Sequence, residues 1–126
     1  MRLFNDLTRT VLEKSLDASS LRQVAISNNI ANADTLGYRA LTVSFADQLQ
    51  AALAQPGRVG RQQAVEALKP RIVPRSPAIG RNDRSNVDIE VEMVALAENQ
   101  LLYQALARQI SEKFSQLRLA ITGGRR

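Results

Sequence analysis

The sequence contains no cysteine, no histidine and no tryptophan. Without cysteine and histidine the chain has no thiol nucleophile, no imidazole base, no disulfide and no zinc site built from these residues. A carboxylate-based enzyme is still possible, but the acidic residues fall at a helix start and on exposed helix faces instead of forming a cluster. We therefore expect a protein that is not an enzyme and that binds no cofactor and no metal.

Aromatic residues are also scarce, at 4% of 126 residues, although 44% of the residues are hydrophobic. A compact globule usually draws more of its buried area from aromatic rings, so the composition favours helices packed through Leu, Ile, Val and Ala. The sequence has no apolar run near the ~20 residues that a membrane-spanning helix needs. The N-terminus also lacks the apolar stretch of a secretory signal. We expect no membrane insertion, and export without a cleaved signal peptide if the protein leaves the cytoplasm.

The net charge of +5 originates in one segment of the chain. Residues 1–56 and 87–126 each carry five basic and five acidic side chains, whereas residues 57–86 carry seven basic and two acidic ones. That segment also holds three of the four prolines and three glycines, which interrupt helices. The sequence thus predicts a basic, flexible middle. A basic surface that meets an acidic neighbour is a second interpretation. Nucleic-acid binding is a weaker one, because aromatic residues do not alternate with the arginines.

The N-terminal part of the chain predicts a long helix. Neither proline nor glycine interrupts residues 4–31. Seven positions recur at alternating spacings of four and three, which is the a/d seam of a coiled coil: Leu7, Val11, Lys14, Ala18, Leu21, Ala25 and Asn28. Within this seam we expect Leu7, Val11, Leu21 and Ala25 to make helix–helix contacts.

A second long helix is predicted at residues 87–122. Ser85, Asn86 and Asp88 are N-cap candidates, and acidic residues in the first turn suit the helix dipole. Glycines at positions 123 and 124 mark its end, leaving a tail of residues 123–126. One apolar face follows the helical period and is expected to pack against another helix; its residues are Leu96, Tyr103, Leu106, Ile110, Phe114 and Leu117.

Together these patterns predict a mainly α fold, an elongated two-helix antiparallel hairpin that resembles a coiled coil, with an irregular middle broken by Pro and Gly. The expected segments are an N-terminal helix with an Asn-rich end at 1–36, a connector with a possible short helix at 37–56, the basic middle at 57–86, the C-terminal helix at 87–122 and the tail at 123–126. On both helices the apolar residues extend over more of the surface than a single contact between the two helices can bury. A self-associating or partner-bound rod is therefore expected.

Residues 27–39 read SNNIANADTLGYR and combine helix-ending residues with several asparagines. Asn, Asp and Thr side chains compete for backbone hydrogen bonds and end a helix. Gly37 can adopt the left-handed conformation, which leaves Tyr38 free to fold back onto the last helical turn. An ordinary helix end explains Gly37 and Asp34, but it does not explain three asparagines and several small residues in one segment.

This segment resembles the signature of the flagellar rod and hook family, which reads approximately S-N-N-[IL]-A-N-x-x-T-x-G-[YF]-[KR]. Near the other end, Asn86-Val87-Asp88, Glu92-Met93 and Tyr103-Gln104-Ala105 are similar to the family's N-V-D, E-M and Y-Q-A pattern. One departure is Leu36, where many relatives have proline. Only about forty residues lie between the two matched regions, too few for the β-rich domain of the larger members, so the chain resembles the short proximal-rod members.

The resemblance implies a structural subunit of the bacterial flagellar basal body, assembling through its terminal helices into the axial drive shaft. The implied partners are other copies of itself, other flagellar rod proteins, the rod–MS-ring adaptor and the flagellar export gate. The implied location is the periplasmic rod, reached by flagellar type III export. The implied assembly motif comprises Asn28, Asn29, Asn32, Thr35, Gly37 and Tyr38. The alternative function is that of a basic coiled-coil nucleic-acid-binding protein. It would need positive charge along a helix face, and here that charge lies in the middle segment.

Overall fold

The computed structural model describes residues 2–76 and 87–123. The chain is mainly helical, with the order α1 (Arg2–Ala31), β1 (Leu41–Ser44), α2 (Ala46–Leu53), α3 (Arg58–Glu66), β2 (Arg71–Pro74) and α4 (Ile89–Thr122). Among these described helices, none combines the length and the apolar character that a membrane span requires. The cap candidates Ser85 and Asn86, the end of the basic middle at 77–86 and the tail from 124 onward lie outside the described residues.

The hydrophobic core lies between the first half of α1 and the segment that joins α1 to α4. Ala18 of α1 is buried in this core, and Val11 and Leu7 pack against it from about two and three turns earlier on the same helix. Residues of the joining segment supply the rest of the cluster: Phe45, Ala52, Val65 and Leu68 are buried, with Val43, Leu49 and Ala64 packed against them. The core therefore depends on residues 43–68 as much as on the long helices.

The prediction of an irregular middle is wrong over residues 58–74. Residues 58–66 form α3, and β2 pairs antiparallel with β1 from Ser44↔Arg71 to Leu41↔Pro74. Val65 is fully buried, and Leu68 is 7% exposed. The prolines delimit these elements and leave them intact. Pro56 precedes α3, and Pro74 ends an edge strand of a two-stranded sheet, where a missing N–H is tolerated.

α4 begins and ends with clear capping signals. The side chain of Asp88 accepts a hydrogen bond from the Glu90 amide at 3.0 Å, and Gly123 ends the helix in the left-handed conformation with φ 59°. Most of its buried and half-buried residues repeat at spacings of three and four, with Ala95 and Ala107 beside them: Glu92, Leu96, Asn99, Leu106, Ile110, Lys113 and Leu117. This pattern gives α4 one face directed at the protein and leaves the other in solvent.

Buried polar contacts join α1 and α4. Ser19 hydrogen-bonds Asn99, and Asn29 hydrogen-bonds Glu92. The later residue of α1 thus pairs with the earlier residue of α4. Glu92 and Asn99 are the two buried residues of α4, at 1% and 4% exposure. The two long helices are therefore held together at defined positions by hydrogen bonds.

Candidate functional site

The side chain of Asn29 is the centre of a buried polar cluster at the C-terminal end of α1. Its Nδ2 donates hydrogen bonds to the Leu41 carbonyl at 2.9 Å and to Oε2 of Glu92 at 3.2 Å. Its Oδ1 accepts hydrogen bonds from the Leu41 amide at 2.7 Å and from the Tyr38 hydroxyl at 3.0 Å. Asn29 is fully buried, and its amide thereby uses both donors and both acceptor positions.

Glu92 brings α4 into the same cluster and pairs with a cation from the end of β2. Its Oε1 lies 2.9 Å from Nη1 of Arg75, whose backbone amide donates to the Ala40 carbonyl at 2.7 Å. A carboxylate that is 1% exposed is tolerated when it is both paired and hydrogen-bonded, and Glu92 meets both conditions. We call Asn29, Tyr38, Arg75 and Glu92 the polar junction, since it joins α1, the connector, the strand pair and α4.

The turn between α1 and β1 delivers Tyr38 to this junction. The Thr35 amide donates to the Asn32 carbonyl at 3.0 Å, and the Tyr38 amide donates to the Thr35 carbonyl at 3.2 Å. Gly37 has a φ of 75°, in the left-handed region that glycine adopts without steric cost. The chain therefore reverses within a few residues, and the Tyr38 side chain returns to the last turns of α1.

The electrostatic surroundings of Tyr38 favour its neutral form. Burial raises the pKa of the Tyr38 hydroxyl above its ordinary value of 10.0, the negative charge of Glu92 raises this pKa further, and Arg75 acts in the opposite direction. The neutral hydroxyl is the form that donates to Asn29. The hydrogen bond and the local charges thus support the same protonation state.

The structure divides the predicted assembly motif into an inward part and an outward part. Asn29 and Tyr38 belong to the polar junction, whereas Asn28, Thr35 and Gly37 are exposed. Asn32 is half-buried and links two residues of the outward part: its Nδ2 donates to the Asn28 carbonyl at 2.9 Å, and its Oδ1 accepts from the Thr35 hydroxyl at 3.3 Å. The inward residues anchor the turn to the polar junction, and the outward residues are exposed to solvent.

A second polar contact lies further along the same two helices. Ser19 Oγ donates to Oδ1 of Asn99 at 3.0 Å, and Nδ2 of Asn99 donates back to the Ser19 carbonyl at 2.9 Å and to Oε1 of Gln23 at 3.3 Å. A buried amide in a helix–helix contact penalises shifted alignments, because a shift leaves its polar atoms without partners. Asn99 and the polar junction together fix the alignment of α4 on α1.

The predicted packing residues fall into three groups. Ala25 is buried at 1% exposure. Tyr103 and Phe114 are exposed at 42% and 51%. The remaining residues are half-buried: Leu7, Val11, Leu21, Leu96, Leu106, Ile110 and Leu117. The apolar face of α4 is therefore only partly covered within one chain.

Ser19, Asn99 and Arg75 were not among the residues expected in a site, and Glu92 was expected only as an acidic residue near the helix start and as part of the Glu92-Met93 pattern. A signal for two of them was present. Glu92 and Asn99 alternate with Leu96 and Tyr103 at spacings of four and three, which places both polar residues on the packing face. Arg75 had no such signal, since its position depends on the pairing of β1 with β2.

The side chains of the polar junction are engaged with one another, which is typical of a structural role. The hydrogen-bonding atoms of the Asn29 amide are engaged, and both oxygens of Glu92 have partners. Across residues 2–76 and 87–123, no three acidic residues come together in a way that could hold a metal ion. The arrangement is suited to holding helices in position.

Comparison with known proteins places this geometry among flagellar components. Residues 11–39 match the family model described as "Flagella basal body rod protein". The flagellar basal body rod protein FlgB of Bacillus subtilis (strain 168) is 32% identical over 139 aligned residues, covering 99% of this chain and 100% of that protein. FlgB of Yersinia ruckeri is 33% identical and covers 73% and 77% of the two chains. FlgB of Escherichia coli (strain K12) is 31% identical and covers 78% and 83%.

Proposed function

Because this chain belongs to the FlgB family of flagellar basal body rod proteins and is a structural subunit of the basal-body rod, we propose that its two long helices join it to the other subunits. This proposal rests on the apolar side chains of α4 that are exposed to solvent. Val94 and Leu101 on this helix are 59% and 68% exposed. Uncovered apolar surface of this kind is typical of interaction sites.

The unit that assembles is an elongated antiparallel hairpin of α1 and α4. The order of the contacts supports this arrangement, since Ser19 meets Asn99 while Asn29 meets Glu92. The 34 residues of α4 extend for ~50 Å at ~1.5 Å per residue. Such a length offers a neighbour a long contact, and each Å² of apolar surface removed from water contributes ~25 cal/mol.

The outward part of the asparagine motif sets the position of the neighbouring subunit. Asn28, Thr35 and Gly37 are exposed beside Leu36, which is 72% exposed. The turn that carries them is anchored to α1 and α4 through Asn29 and Tyr38. A surface held in this way loses little conformational freedom when it meets a partner.

The partners of this surface are other copies of the chain, other flagellar rod proteins, the rod–MS-ring adaptor and the flagellar export gate. The site of assembly is the proximal, periplasmic part of the rod, which the protein reaches by flagellar export. The function is structural and not enzymatic. The relatives are named as rod proteins, which supports a structural role.

The comparisons do not support the alternative of a basic coiled-coil nucleic-acid-binding protein. Arg75, one of the basic residues behind that alternative, is paired with Glu92. β2, the strand that it follows, is part of a two-stranded sheet beside the core. Part of the positive charge of residues 57–86 is thus neutralised by an ion pair within the protein.

A complementation experiment tests the proposed function. In a strain that lacks this protein, we expect the unsubstituted chain to restore motility and to appear in isolated basal bodies. Leu101→Glu should abolish both effects while the soluble protein remains folded, because the side chain is largely exposed. The matched control is Val59→Glu on α3, where the side chain is 65% exposed and is not part of the apolar side of α4. Normal motility with Leu101→Glu would contradict the proposal.

A further inference from the structure

The exposed side of α4 carries a stripe of residues seven positions apart. Val94, Leu101 and Arg108 are all exposed. Val94 and Leu101 each follow a buried residue, Glu92 or Asn99, by two positions, and two helical steps turn the chain by about 200°. The stripe therefore points away from α1 of the same chain.

A groove runs along α1 on the side where α4 meets it. It has a volume of about 530 Å³, and its lining residues are Ser20, Gln23, Asn99, Gln100, Tyr103 and Gln104. Ser20 is exposed, and so are Glu13 and Ser27, which lie seven residues before and after it. Along α1, the exposed positions in register with Ser20 thus carry a small residue, Ser27, on one side and an acidic residue, Glu13, on the other.

We propose that the stripe of α4 from a second copy of this chain lies antiparallel along α1 in this groove, with its Leu101 over Ser20. The proposal deepens the proposed function and rests on it, since it names the faces through which two rod subunits meet. Steps of seven residues match along both helices. Placing Leu101 over Ser20 therefore brings Val94 over Ser27 and Arg108 opposite Glu13.

Charged residues favour this alignment over the two alignments that are shifted by one heptad. A shift by one heptad in one direction brings Arg108 opposite Asp6, which already contacts Arg9, but places the apolar Leu101 over the Glu13 carboxylate. A shift in the other direction places Arg108 over Ser20 and leaves Glu13 opposite Ser115. Glu13 is available for a new partner, because its side chain is 52% exposed and its contact with Arg9 is long, at 3.8 Å. An exposed ion pair contributes little energy but discriminates between alignments.

The occupant is a second copy because the two complementary surfaces lie on different faces of one chain. A contact between two different faces does not close on itself in a pair. Each added copy presents a new groove and a new stripe, so the same contact can repeat along a stack. A polymer of one subunit requires this property.

The absence of cysteine from the chain provides a direct test. In isolated basal bodies carrying Ser20→Cys with Leu101→Cys, mild oxidation should produce disulfide-linked multimers on non-reducing gels. Mass spectrometry should identify both ends of the link as this chain. The matched control is Ser27→Cys with Leu101→Cys, which is one heptad out of alignment and uses equally exposed positions; it should give at least tenfold less product.

Each result of this test has a definite meaning. Equal linkage of both pairs, absence of linkage from Ser20→Cys with Leu101→Cys, or a link from Leu101→Cys to a different rod protein would overturn the proposal while leaving the proposed function intact. Failure of the unsubstituted chain to enter basal bodies would instead contradict the proposed function.

A charge reversal provides a second measurement that does not require cysteine variants to assemble. Glu13→Arg and Arg108→Glu should each reduce the diameter of swimming rings at least twofold, and the double variant should regain most of the loss. Additive losses in the double variant would overturn the alignment of Glu13 with Arg108. Purified single variants should keep the helical content of the unsubstituted chain, because both side chains are exposed.

Discussion

The Nδ2 amide of Asn29 lies 3.2 Å from Oε2 of Glu92, a residue 63 positions later in the chain, and both side chains are buried. This contact links the asparagine motif to the base of α4. Asn29 also holds the Leu41 backbone and the Tyr38 hydroxyl. One side chain therefore connects the turn, the start of β1 and the helix pair, so a change at Asn29 should affect all three.

The adjacent asparagines 28 and 29 should differ sharply when substituted. Asn29→Ala leaves several buried partners unsatisfied, and each such group costs ~1–3 kcal/mol. Asn29→Asp should lower the free energy of unfolding at least as much, since its carboxylate would face Glu92 and the Leu41 carbonyl. Asn28→Ala is the control, because Asn28 is exposed and only its backbone carbonyl accepts from Asn32. Urea unfolding measures all three; equal values for Asn28→Ala and Asn29→Ala would contradict the role of the junction.

The Arg75–Glu92 pair should show strong coupling. Arg75→Met leaves the carboxylate of Glu92 buried without its cation, and the loss of a hydrogen bond to a charged group costs ~1.5–3 kcal/mol. When Glu92→Met is added, the buried charge disappears, so the double variant should recover part of that loss. A double-mutant cycle in urea measures the coupling. Simple addition of the two single effects would show that the pair does not stabilise the fold.

Gly37 and Gly60 form a matched pair for testing backbone conformation. A Cβ at either position meets no atom within 4 Å, but only Gly37 of the two has a positive φ. Gly37→Ala should therefore destabilise the protein by ~1–2 kcal/mol, with Gly37→Asn milder because Asn tolerates the left-handed region. Gly60→Ala, inside α3, should stabilise it by ~0.5–1 kcal/mol. Thermal unfolding distinguishes these signs, and a stabilising Gly37→Ala would refute the left-handed turn.

The stabilising effect of Tyr38 should disappear at alkaline pH. Since folding raises the pKa of its hydroxyl, the stabilisation is fully present below the ordinary value of 10.0 and is lost as the pH rises through the raised pKa. The difference in unfolding free energy between the unsubstituted chain and Tyr38→Phe should shrink over that range. In Tyr103→Phe, Tyr38 is the sole tyrosine, so the ultraviolet absorbance of tyrosinate reports its pKa. A pKa at or below 10.0 would contradict the burial of this hydroxyl.

Local features could be predicted from the sequence because they depend on neighbours in the chain. The spacing of apolar residues identified two long helices, and Asp88 and Gly123 are found capping α4. Gly37 was expected in the left-handed conformation and has a φ of 75°. The misjudged part was the middle. Proline and glycine indicate where a helix or strand ends. They do not show whether a residue between two such ends, such as Val65, is buried in the hydrophobic core.

The sequence was therefore sufficient to identify the residues that share a helix face, the places where the helices end and the absence of cysteine and histidine chemistry. The tertiary structure alone decided what covers each face. Asn28 and Asn29 have identical side chains, yet one is exposed and the other buried, because a step of about 100° directs only Asn29 towards Leu41 and Glu92. Arg75 reaches Glu92 only because β1 pairs with β2. Helical period is a local property, whereas the partner of a buried polar group comes from a distant part of the chain.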